Sequence, residues 1–128
     1  MGPVQQAIRS AFSHAPVTLH TLSQRKPFTL SVIDGDGIVL LLGQGQTYVR
    51  LEWDCLESVA TFLRGQTGWV PAGGAHSVSG EPGTLDEYLK RWTTTDVARW
   101  LVRVLRDAGV VEVVGGPLRV RLRHPTAR

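Results

Sequence analysis

Two glycine-rich turns bracket the most apolar run of this chain, and their spacing constrains its fold more than any other feature. Asp34-Gly35-Asp36-Gly37 leads into Ile38, Val39, Leu40, Leu41 and Leu42, and Gly43-Gln44-Gly45 follows at once. Such a run is too short for a stable helix and of ordinary length for a strand. Because it is apolar at every position rather than at alternate ones, it predicts a strand covered on both faces or close to it. Residues 28–33 and 47–51 read as its antiparallel neighbours, with the glycine turns setting the register. Residues 17–22 would add a short strand.

Helical spacing surrounds this meander. Pro3 suits a first helical turn, Val4, Ala7, Ile8, Ala11 and Phe12 recur on one face, and Ala15-Pro16 ends the pattern. The period returns over residues 53–64, where Leu56, Val59, Ala60 and Leu63 form a stripe and Gly65 lies just beyond. Residues 1–64 are therefore expected to form an N-terminal β-meander lobe with flanking helices. Residues 65–83 form a Gly-rich connecting loop, with six glycines and two prolines in 19 residues. A loop of that length in a compact domain is functional or mobile. Trp69-Val70 could anchor it as a short strand, and Trp69 could also seat a partner. The whole is one domain, or two small lobes sharing one core.

The third region, residues 84–128, is the most legible. Thr84-Leu85-Asp86-Glu87 has the form of a capping box and predicts a helix over 85–92. Thr93 and Asp96 repeat that spacing ahead of a second helix, which runs to Ala108 and stops at Gly109. Residues 110–114 then read as a strand and Gly115-Gly116 as a two-residue hairpin loop. Leu118, Val120 and Leu122 alternate with Arg119, Arg121 and Arg123 on the return. In that register Glu112 faces Arg119. The last four or five residues look frayed.

Helix, turn, helix and β-hairpin follow one another in the order found in winged-helix domains, and residues 84–123 resemble that family. The resemblance implies that the second helix enters a DNA major groove while the hairpin, or wing, touches the flanking backbone. It also implies a further helix ahead of the pair, which residues 53–64 could supply. The expected class is thus α+β: an antiparallel β-meander with flanking helices, followed by a winged-helix-like helix-turn-helix and β-hairpin.

Charge follows the same division. From Tyr88 onward the chain carries nine Lys or Arg against three Asp or Glu, whereas residues 1–87 carry five against eight. A basic patch on an acidic body is the electrostatic footprint of a polyanion binder, although such faces are also plain solvated surface. Arg outnumbers Lys twelve to two. Arg forms the bidentate contacts to phosphate and guanine that Lys does not. Arg99, Arg103 and Arg106 recur at i, i+4 and i+7, opposite an apolar stripe of Val97, Trp100, Leu101, Val104, Leu105 and Ala108. Their mutual repulsion would be relieved by a phosphate backbone, or by Asp96 and Asp107. Arg119, Arg121 and Arg123 form a second row, suited either to backbone phosphate or to protecting an edge strand.

Patterns for catalysis are weak. Asp34-Gly35-Asp36-Gly37 opens like a calcium loop, but Ile38 and Gly45 stand where ligands are needed. The glycines at 43 and 45 complete neither a dinucleotide fingerprint nor a P-loop. Glu52, Asp54 and Glu57 cluster where acids complement a helix dipole. Cys55 reads as a small buried apolar residue. His76, Ser77 and Ser79 share the loop without evidence of a shared site. No catalytic residue, metal or cofactor is expected. No apolar run is long enough to span a bilayer and no secretory signal pattern heads the sequence, so a cytoplasmic location is expected. The resulting expectation is a non-enzymatic, cytoplasmic nucleic-acid-binding protein, with double-stranded DNA favoured over RNA. A bacterial-type regulator or a restriction-system accessory factor would suit it, and a homodimer or protein partner could be served by the N-terminal lobe. The alternative is a protein-interaction adaptor using the acidic N-terminal lobe and the Trp69 loop.

Overall fold

The computed structural model describes residues 2–73, 83–115 and 117–123. It is α+β, with a four-stranded antiparallel sheet, a three-stranded sheet and four helices among the described residues. His76, Ser77, Ser79, Gly116 and the C-terminal residues 124–128 lie outside them.

Helix α1 (Pro3–Ala11) places Pro at its start and buries Val4 and Ile8, one turn apart. Gly2 has no side chain to cap it. The carboxylate of Glu57 does so from another helix, accepting from the Val4 amide at 3.2 Å and the Gln5 amide at 3.0 Å. The meander follows as β1 (Val17–His20), β2 (Pro27–Ile33), β3 (Gly37–Leu42) and β4 (Thr47–Glu52), in that spatial order. As its apolar run predicts, β3 is buried at Ile38, Val39, Leu40 and Leu42. Its entry turn is built by Asp34, whose Oδ1 accepts from the Asp36 and Gly37 amides. Gly37 is required there, because a Cβ would lie 2.1 Å from the Leu51 carbonyl oxygen. Unforeseen in the sequence is a bulge in β2 between Leu30 and Val32. The extra residue rephases the strand, so Leu30 pairs with Leu40 and Ile33 with Ile38, and both reach the core.

Helix α2 (Trp53–Arg64) buries Leu56, Val59, Ala60 and Leu63, the expected stripe, together with Trp53 and Cys55. Burial pushes the Cys55 thiol up to about 12, which suits a packing role. α2 packs on α1 and also on the C-terminal hairpin, so it belongs to both halves of the chain. One continuous apolar core runs from Val4 to Val120.

The glycine-rich connection is tied down at its base. Its strand β5 (Val70–Pro71) joins the hairpin, the Ala72 amide donates to the Leu118 carbonyl, and the Asp86 amide donates to the Ala72 carbonyl. Helix α3 (Leu85–Leu89) starts on the expected box: the Thr84 hydroxyl accepts from the Glu87 amide. Glu87 reaches back one residue further than predicted, to the Gly83 amide.

Three expectations for this region need correction. First, α3 ends at Leu89 rather than at residue 92. Second, α4 (Ala98–Asp107) begins after Val97 and has no side-chain cap. Thr93 and Asp96 form no capping box, because the Thr93 hydroxyl accepts from the Thr95 amide and Asp96 pairs with Lys90. Lys90 also bonds buried Asp86 at 3.1 Å. Partial burial lowers the pKa of that ammonium, but hydrogen bonds to Asp96 and Asp86 outweigh it and leave the value raised. Third, β6 (Val111–Val114) and β7 (Arg119–Leu122) pair Glu112 with Arg121, not with Arg119. The connection therefore spans residues 115–118 rather than two glycines. The partner shift is two residues, and strand side chains alternate with period two, so the apolar and basic faces of β7 are as expected.

Candidate nucleic-acid interface

The two basic rows of the sequence occupy different environments. On α4, Trp100, Leu101, Val102, Val104 and Leu105 are all buried, which covers more of the helix than one stripe. α4 packs against β6 and also against α1, α3 and β1. Trp100 meets Phe28 of the meander edge-on, with ring centroids 5.6 Å apart. A helix enclosed by both sheets has little surface left for solvent.

Its arginines are engaged accordingly. Arg99 is half-buried, donates to the Gln24 side chain at 3.1 Å and lies over Trp100. Arg103 is half-buried too, donating through Nη1 to the His20 carbonyl and through Nε to Asp107. Arg106 is exposed and shares the same Asp107 carboxylate. The expected free stripe is thus corrected: two of its members face the meander, and Arg103 and Arg106 share the Asp107 carboxylate, which offsets one of their two charges. Asp96, the other expected acid, goes to Lys90 instead.

The hairpin row is more open. Arg119 and Arg123 are exposed, on either side of half-buried Arg121. Arg121 bonds Glu112 at 2.9 Å and lies 4.3 Å from the centroid of the Trp69 ring. The reason is register: β5 pairs Val70 with Val120 and Pro71 with Arg119, and one further step places Trp69 opposite Arg121. Trp69 is therefore an anchor for the base of the loop, with one face already occupied by a guanidinium.

Arg64, which sequence reasoning missed as a site residue, joins this surface. At the last turn of α2 it lines a groove of about 480 Å³ with Arg121 and Arg123. Its signal in the sequence was only that of a basic residue completing a helix terminus. Arg64, Arg119 and Arg123 make no ion pair among the described residues. Of the six arginines singled out from the sequence, Arg121 and Arg123 share the groove and Arg99, Arg103, Arg106 and Arg119 do not.

Among the described residues, no three His, Cys, Asp or Glu come together to hold a metal ion, and no helix is long and apolar enough to cross a membrane. No family model, curated protein or solved structure matches this chain.

Proposed function

We propose that this chain binds nucleic acid, double-stranded DNA in preference to RNA, through the backbone phosphates, and that its C-terminal half is a winged-helix-like lobe whose hairpin makes the contact. The observation carrying this reading is that Arg64, Arg119 and Arg123 lack ion-pair partners among the described residues and lie on or beside β7. The packing of α2 against β7 supports the lobe, since a winged helix would carry a further helix ahead of the α3–α4 pair. Arg106 is the exposed arginine of α4 and would make an accessory contact at the edge. A buried central helix does not suit deep insertion into a major groove, so the binding proposed is weakly dependent on sequence. A non-enzymatic accessory role, such as holding a larger assembly on DNA, would suit that chemistry.

A random duplex of about 20 base pairs, titrated at ~50 mM salt, tests the reading. Neutralising about three phosphates gives a log–log salt slope near −3. Arg64→Gln, Arg119→Gln and Arg123→Gln together should abolish binding at that salt, while Arg99→Gln should leave the slope unchanged. No measurable binding by the wild-type chain would defeat the proposal. The adaptor reading has one observation of its own, the exposure of Val32 and Tyr48 on the meander. It predicts a protein contact and negligible affinity for the duplex at ~50 mM salt.

A further inference from the structure

We propose that the groove between α1, the end of α2 and the hairpin binds a small amphiphilic anion: a carboxylate on an apolar body. At about 480 Å³ the groove has the volume of a small-molecule site. Its floor is apolar, made by Val4 and Ala7 of α1, Ala60 and Leu63 of α2, and Leu122 of β7. Charge at its margin has one sign. Arg64, Arg121 and Arg123 line it, and no Asp or Glu does. Arg121 is neutralised by Glu112, which leaves Arg64 and Arg123 as the cationic groups without an ion pair among the described residues.

Two guanidinium groups beside an apolar hollow match a ligand with one anionic end. The carboxylate accepts charge-assisted hydrogen bonds from the fork-shaped donors, and the hydrocarbon covers the floor. A phosphate backbone laid across the rim would satisfy the arginines and leave the floor wet. A neutral apolar molecule would fill the floor and leave the arginines unused. The site thus goes beyond the nucleic-acid reading and stands whether or not the hairpin contacts DNA.

The test is an amide chemical-shift titration of the full chain with sodium octanoate, with octan-1-ol and sodium sulfate as separate controls. Octanoate should saturate with a Kd below about 1 mM. The shifts should concentrate in α1, the last turn of α2 and residues 109–123. Each control should bind at least about tenfold more weakly, since each satisfies only half of the site. Arg64→Gln with Arg123→Gln should weaken octanoate by about tenfold or more and leave octan-1-ol unchanged. Ala7→Leu narrows the floor while keeping both arginines, and should weaken octanoate and octan-1-ol alike. Sulfate binding as tightly as octanoate would reduce the site to an anion patch and overturn the proposal. So would equal binding of octan-1-ol, failure of octanoate to saturate, or wild-type affinity in the folded double variant.

Discussion

The guanidinium of Arg103 donates through Nη1 to the backbone carbonyl of His20 at 2.7 Å, across 83 positions of sequence. That bond ties α4 to the end of β1 and so joins the basic half of the chain to the acidic half. It also explains why a residue that helical spacing places opposite an apolar stripe is not free for a ligand: the opposite side of α4 is covered by the meander.

Arg103 and Arg106 should therefore differ on substitution, although they share Asp107. Arg103→Ala removes a charged hydrogen bond to a carbonyl and should destabilise the fold by about 1–2 kcal/mol. Arg106→Ala removes an exposed contact and should stay within about 0.5 kcal/mol. Urea unfolding of both variants measures the difference. Equal losses would mean that the His20 contact contributes nothing beyond the shared ion pair.

The stacking of Arg121 on Trp69 should appear as a coupling energy. A double-mutant cycle of Trp69→Ala and Arg121→Ala should give about 0.5–1 kcal/mol. Trp69→Ala should also loosen β5, seen as faster exchange of the Ala72 amide, which donates to the Leu118 carbonyl. A coupling near zero with unchanged exchange would remove Trp69 as the anchor of the loop base.

Glu57 caps α1 from α2, 53 positions away from Val4. Glu57→Ala should cost about 1 kcal/mol, the usual cost of losing an N-cap. Hydrogen exchange should locate the loss at the Val4 and Gln5 amides. Since α1 forms one wall of the groove, octanoate affinity should fall in the same variant.

Asp34 predicts a pH dependence. Its hydrogen bond with Arg50, aided by the Asp36 and Gly37 amides, lowers its pKa from 3.8 to about 2. A carboxylate depressed in the folded state stabilises fully above its ordinary pKa and loses that contribution as pH falls through the folded value. Asp34→Asn keeps the side-chain oxygen that shapes the turn but loses the charge facing Arg50. The melting temperatures of wild type and variant should differ at pH 6 and converge between about pH 4 and pH 2. A constant gap across that range would show that Arg50 senses no charge at Asp34.

Local chemistry made much of the chain legible. The Asp34–Gly37 turn, the apolar run of β3 and the Thr84 cap each act within a few residues, so they can be read before any partner is known. The faces of β7 were legible for a related reason: a pairing error of two residues leaves the inward and outward sets unchanged. The start of α4 was not, because Asp96 had two competing roles and the ion pair with Lys90 prevailed over the cap.

The interface depended on surfaces that meet only when the chain closes. Helical period assigns α4 one apolar face, but Val102 is buried as well and Arg103 is drawn in, because α4 packs against the meander, α1 and α3 in addition to β6. Trp69 and Arg121 lie far apart in sequence and become cross-strand neighbours only when β5 joins β7. Arg64 and Arg123 likewise reach one groove by way of α2 packing on the hairpin. Element type and face follow from alternation and turn chemistry over short spans. Which face remains open to a ligand follows from burial between distant segments, where tertiary packing outweighs local pattern.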